Sequence, residues 1–230
     1  EVVQNVLYES ISLAIDSDDV PHISFRHKVS GGQPDMLKYT TKPLTTWNLE
    51  TLDIGGDAGK YSTISIDSDN LPRIVAEDSN GNVKLYSKEF DGLWDESLIG
   101  SSLEDSNDDY YIDFKIDSLD NNHAIWIHGN NNLMYYSSIE GDSSVSSENY
   151  FGARISLALD SEGIPHIAAR FNGPLDDDNE PSLLTKTDSG WVRYVIGDPL
   201  LDGGETMNLL FDSEDNPLIT TSDADSFTRL

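Results

Sequence analysis

The chain has 230 residues, with 42 acidic against 14 basic side chains for a net charge of −28, 37% hydrophobic residues and no cysteine. So negative a surface repels nucleic acid and anionic lipid, which leaves both out as general partners. Zero cysteine removes disulfide scaffolds and thiolate metal sites, and no apolar run reaches the ~18 residues of a membrane span.

The chain opens with Glu1-Val2-Val3-Gln4-Asn5-Val6, an extended segment, and such a start reads as a mature or excised chain. Ile11, Leu13 and Ile15 then alternate with Ser12 and Ala14. Period two predicts a strand, and apolar residues alternating with small ones predict that both of its faces are crowded. Asp16-Ser17-Asp18-Asp19 follows as a tight turn, and Pro21-His22-Ile23 begins a returning strand. A third strand is expected over Leu37–Lys42 and a fourth from Trp47.

The same order then repeats. The Asp-Ser unit recurs at Asp67, Asp117, Asp160 and Asp212, after 51, 50, 43 and 52 residues. Third strands are expected again at Val83, Leu133, Leu183 and Phe227, and fourth strands near Trp94, Val145 and Trp191. Self-similarity at a fixed period marks a repeat architecture. Four short antiparallel strands per repeat predict an all-β, five-bladed β-propeller forming one domain over 1–230. The chain stops inside its fifth third-strand, so the N-terminal segment is expected to complete that blade and close the ring, which protects strand edges.

The best repeat lines, Ile155-Ser156-Leu157-Ala158-Leu159-Asp160-Ser161-Glu162-Gly163-Ile164-Pro165-His166-Ile167-Ala168 and the equivalent Ile11 to Ser24, resemble bacterial and archaeal propeller repeats of the form SLALDSxGxPHIAY. These are loosely similar to sialidase-like (BNR-type) propellers. The stricter Asp-box order, Ser-x-Asp-x-Gly-x-Thr-Trp, is absent. The resemblance implies the fold and leaves function open, because propellers host lectins, hydrolases and scaffolds alike.

On this architecture the Asp-Ser turns lie at one end of each blade, and the His at the following position (His22, His123, His166) reads as structural. The opposite end collects residues that differ between repeats: Arg26, Glu77, Trp126 and Arg170 at the ends of second strands, with Tyr61 and Tyr111 entering first strands. Aromatic faces beside a few directed polar groups suit a glycan or another polar ligand, and arginine can clamp a carboxylate. Asp113 and Lys115 stand where other repeats carry uncharged residues, and they read as an ion pair. Asp176, Asp178 and Glu180 offer alternate oxygen ligands for calcium, without the Gly and Glu spacing of an EF-hand. Glu77, Asp113 and Glu205 are the carboxylates a glycosidase would draw on, although none stands in a recognisable catalytic motif.

The expectation is therefore a non-catalytic recognition module, extracellular or on the cell surface, that binds carbohydrate or another polar ligand at the loop end. A structural or assembly domain with a protein partner, and a glycoside hydrolase, are the alternatives.

Overall fold

The computed structural model describes residues 6–29, 31–53, 58–102, 111–129, 132–145, 155–172, 179–196, 203–223 and 228–229. Their regular structure is all β. The first sheet runs β1 (Val6–Ile15), β2 (Pro21–His27), β3 (Met36–Thr41), β4 (Asn48–Asp53) in sequential order. The second is β5 (Lys60–Ile66), β6 (Pro72–Glu77), β7 (Asn82–Lys88), β8 (Trp94–Ser101). The third is β9 (Ile112–Ile116), β10 (Asn122–His128), β11 (Asn132–Ser137), β12 (Gly141–Ser144). The fourth is β13 (Ser156–Leu159), β14 (Pro165–Asn172), β15 (Asn179–Thr187), β16 (Gly190–Val195). The fifth shows three strands among the described residues, β17 (Gly203–Phe211), β18 (Pro217–Asp223) and β19 (Thr228–Arg229). Several four-stranded antiparallel sheets are thus present, and the fifth Asp-Ser repeat shows three strands among the described residues. Residues 1–5, most of the segment expected to complete the fifth sheet, lie outside the described residues.

The Asp-Ser motif makes the first hairpin of each sheet for a local reason. Asp16 N–H donates to Val20 O and Asp19 N–H to Asp16 O, while Asp16 Oδ1 accepts the N–H groups of Asp18 and Val20 at 2.9 and 2.8 Å. The side chain thereby fills the turn with bonds to its own backbone. The tip residue must be left-handed, and Asp19, Asn70, Asp120 and Asp215 take φ of 61°, 63°, 63° and 59°. Asp and Asn tolerate that region better than most residues, and Gly163 fills it in the fourth repeat at φ 79°.

Two compact units emerge, Glu1–Glu104 with Ser118–Asn122, and Asp105–Asp117 with His123–Leu230. In the first, the two sheets share a core of Leu37, Tyr39, Ile64, Ile74 and Tyr86. In the second, Ile125, Leu133, Leu157, Ile167 and Phe171 pack together, and Ala168, Met207 and Leu209 form a smaller cluster. Burying a Leu or Ile side chain fully contributes ~1.5–3 kcal/mol.

Sheets within a unit are joined by side chains that reach the next first strand. Ser12 Oγ accepts the Ile64 N–H at 3.3 Å, and Ser156 Oγ accepts the Leu209 N–H at 3.1 Å. Asp113 does the same for the Leu157 N–H at 2.8 Å, and its other oxygen holds Lys115 at 2.6 Å. The expected ion pair is present, and the carboxylate also serves as an acceptor where other repeats use Ser.

The first strand departs from the expectation of two crowded faces. Ile11, Leu13 and Ile15 are 55%, 59% and 61% exposed, whereas the matching Leu157 in β13 is fully buried. β1 is the outer strand row of its unit, with Ser12 turned toward β5 and the apolar side toward solvent.

Candidate functional site

At the turn end the polar groups are committed to structure. His22 lies between Asp16 and Tyr39, with Nε2 3.1 Å from Asp16 Oδ2 and Nδ1 2.6 Å from the Tyr39 hydroxyl. His123 repeats this with Asp117 and Tyr135. His166 repeats it with Asp160 and Thr185. In the second repeat Arg73 takes the position and reaches Asp67 at 3.0 Å. Burial pushes the Tyr39 hydroxyl well above its ordinary range and Tyr135 up to about 12, so both stay protonated as hydrogen-bonding groups. Beyond them stand edge-on aromatic pairs, Tyr39 with Trp94 and Tyr135 with Trp191, each 5.1 Å between ring centres.

The opposite end of the first unit is built differently. Arg26 ends β2 and pairs with Asp35 at 3.0 Å, and Asp35 also accepts the Val29 N–H. Arg26 is the strand partner of Leu37, and Gly59 stacks on Leu37 so closely that a Cβ there would sit 3.1 Å from its Cα. Gly59 N–H donates to Glu77 O at 3.0 Å, and Lys60 is the strand partner of Glu77. Backbone pairing therefore brings Arg26, Asp35, Lys60, Tyr61 and Glu77 to one end of two packed sheets.

Tyr61 is the unusual member. Its φ is +52°, inside a bulge where β5 slips register against β6, and its N–H donates to Ser10 Oγ at 3.0 Å. A left-handed bulky residue costs about 1 kcal/mol or more and persists only where the surroundings fix it, commonly at ligand sites. The ring is half-buried. Glu77 is 2% exposed. Asp78 caps the turn into β7 by accepting the Asn80 and Asn82 N–H groups. Lys84 gathers Asp53, Asp78 and Glu96 at 3.2, 3.4 and 2.9 Å. Burial works to lower the Lys84 ammonium, but the bonds to Glu96 and Asp53 outweigh it and hold the pKa well above the usual lysine range.

In the second unit the expected residues do not assemble in the same way. Trp126 is 1% exposed and forms part of the core, because it matches Phe25 in the repeat, one residue short of Arg26. The expected ligand-facing ring is therefore an interior one. Arg170 does match Arg26 and is 6% exposed. Tyr111 packs partly buried against the core cluster. Glu180 accepts from Arg193 at 2.7 Å, and that guanidinium lies 4.6 Å over the Phe171 ring. Asp176 and Asp178, the other expected calcium ligands, lie outside the described residues, as does Glu205's side chain. Sequence reading missed Asp35, Lys84 and Arg193. A cation alternating inward on a third or fourth strand of so acidic a chain was the available signal.

No protein-family model and no curated protein matches the sequence. Among solved structures, an alpha-L-arabinanase from Penicillium chrysogenum complexed with arabinobiose aligns with 99% of this chain and 78% of its own, at 10% identity and TM-score 0.61. The fucose-specific lectin from Aleuria aurantia aligns over 95% of this chain and 73% of its own, at 10% identity and TM-score 0.58. An ulvan lyase, a polysaccharide lyase, aligns over 95% of this chain at 10% identity and TM-score 0.60, and the chain spans only 63% of its length. The shared property is the fold: the neighbours are propellers, consistent with the four-stranded sheets described above. An arabinanase, a lectin and a lyase on one architecture leave binding and catalysis equally open at the level of fold.

Proposed function

We propose that the chain is a non-catalytic carbohydrate-recognition module, placed outside the cell or on its surface, whose ligand sits at the sheet end carrying Arg26, Asp35, Tyr61 and Glu77. The observation that carries this reading is the left-handed Tyr61 in its bulge, a strained backbone that fixes an aromatic ring at the same sheet end as the largely covered Arg26–Asp35 ion pair. A sugar is recognised by such a pairing of a flat apolar face with directed donors and acceptors. The structural neighbours support the ligand class, since the arabinanase, the lectin and the ulvan lyase each bear a carbohydrate in their names.

Binding is favoured over hydrolysis by how the nearby carboxylates are used. A glycosidase sets two carboxyl groups across the bond, one of them a proton donor. Asp35 holds Arg26, and Asp78 caps a turn and meets Lys84.

A glycan array followed by calorimetry on the best ligand tests the reading. Tyr61→Gly removes the ring while keeping the left-handed backbone, and it lowers affinity about tenfold or more without unfolding the protein. Undiminished affinity in that variant, or release of sugar from glycosides by the wild type, would overturn the proposal.

A further inference from the structure

Arginine at a sugar site ordinarily points to an acidic ligand, because its planar fork grips a carboxylate or sulfate through two parallel bonds. In the first unit that fork is already closed on the chain's own carboxylate. Arg26 Nη2 lies 3.0 Å from Asp35 Oδ2, and both side chains are only 12% exposed. Asp35 is itself held in place, since its Oδ1 accepts the Val29 N–H at 3.1 Å. A ligand carboxylate brought to Arg26 would have to share the guanidinium with Asp35, in surroundings largely closed to water, where like charges repel most strongly.

The other cations near this end are committed in the same sense. Lys84 is surrounded by Asp53, Asp78 and Glu96, all within 3.4 Å, so three carboxylates face one ammonium. Lys60 is the strand partner of Glu77, which adds a carboxyl group of its own. Lys28 stands exposed beyond the end of β2, where water and salt screen it. These local pairs belong to a chain of net charge −28, whose field repels an anionic ligand before contact is made. Tyr61 is indifferent to all of this, because a ring face meets the C–H surface of a sugar whatever the sugar's charge.

We propose that the glycan bound at this end is uncharged, and that the site rejects uronic and sulfated sugars. The inference rests on the carbohydrate reading given above and narrows it to a ligand class. Arg26 and Asp35 then act together as one neutral unit, with guanidinium donors beside a carboxylate acceptor. Sugar hydroxyls both donate and accept, so neighbouring hydroxyls match such a pair, whereas an ionised carboxylate or sulfate only accepts. The carboxylate clamp that an arginine suggests in the sequence is thus satisfied from within the chain.

The test uses ligands matched in all but charge: an array printed with glucose, galactose and mannose glycosides beside their uronates, followed by calorimetry on the best pair. Working at about pH 8 keeps histidine, His27 included, neutral. At low salt the wild type is expected to bind the hexoside about tenfold or more tightly than its uronate. Added sodium chloride narrows that gap, since screening relieves the repulsion and leaves an uncharged ligand unaffected. Asp35→Asn keeps an oxygen for the Val29 N–H while removing the charge, so it releases the guanidinium. The uronate then gains about tenfold on the hexoside. Circular dichroism checks that the variant is folded, and the salt series on the wild type reads the same preference without any substitution. A uronate bound by the wild type as tightly as its hexoside overturns the proposal and leaves the carbohydrate reading standing, as does an unchanged ratio in folded Asp35→Asn. An array silent on every sugar overturns both.

Discussion

The two ends of the sheets use similar polar residues to opposite effect. At the turn end, Asp16, Asp67, Asp117 and Asp160 each meet a His or Arg from the returning strand, and the turn serines are shared between neighbouring repeats. Repetition there reflects a task that every repeat has in common, that of turning the chain and holding the next sheet. At the other end the same repeat position carries Arg26, Glu77, Ile127 and Arg170. Where the structural task is absent, the residues are free to differ, and Tyr61 holds a backbone conformation that no turn there demands. Recurrence thus points to stability and divergence to recognition.

The largest expected effect lies at the turn end. Asp67 holds Arg73 and caps the Asp69 and Leu71 N–H groups, with its side chain only 7% exposed. Asp67→Ala therefore costs about 3 kcal/mol in urea denaturation, because it removes both turn caps and leaves a partly buried guanidinium without its carboxylate, held only by Asp120 O and Asn122 Oδ1 among the described residues. Carbohydrate affinity of the folded protein should not change; a variant of full stability that no longer binds would reverse the roles given to the two ends. Tyr61→Gly makes the complementary statement. Stability shifts by less than about 1 kcal/mol, since glycine accepts the left-handed backbone, while affinity falls about tenfold or more.

Acid distinguishes the two units. Burial holds the His123 ring below its ordinary range, more strongly than its bond to Asp117 raises it. The unfolded chain then takes up that proton first, so the stabilisation is complete above about pH 6.5 and is lost as the pH falls through the lower folded value. Asp16 and Asp78 behave otherwise. Burial works to raise both, but backbone and side-chain donors outweigh it and hold them low. Their contribution is complete above about pH 3.9 and fades only as the pH falls further. Amide exchange should accordingly show the second unit loosening at a higher pH than the first, and simultaneous loosening of both would dismiss the distinction.

Smaller effects refine the picture. Ser161→Ala removes the hydroxyl donor to Asp215 while the backbone N–H keeps its bond, and it costs about 1 kcal/mol or less. Arg193→Ala releases Glu180. If Asp176, Asp178 and Glu180 bind calcium, the ion raises Tm more in that variant than in the wild type; an equal response in both would leave Glu180 out of the site.

The hairpins, the strand order and the two ends of each sheet were legible because Asp-Ser recurs with its register intact. Trp126 was misread by one residue, and in a strand one residue exchanges the faces, turning a core ring into an apparent surface one. The open side of β1 was illegible for another reason. Alternation in Ile11, Leu13 and Ile15 shows that a face is apolar, and only the neighbouring sheet determines whether it is covered. Pairings such as Glu180 with Arg193 join separate strands and leave no mark in local sequence.

The side-chain links between first strands have a spectroscopic consequence. The N–H groups of Ile64, Leu157 and Leu209 are held by a neighbouring sheet's side chain, so they lose their acceptor when the sheets part, even if every strand stays paired. Amides within the ladders, such as those pairing Ile74 with Tyr86, open only when strands separate. Hydrogen–deuterium exchange at these two classes of site therefore measures the parting of sheets and the melting of sheets as separate events in one experiment. Leu157, bound to a carboxylate, is the slowest expected reporter of the first kind.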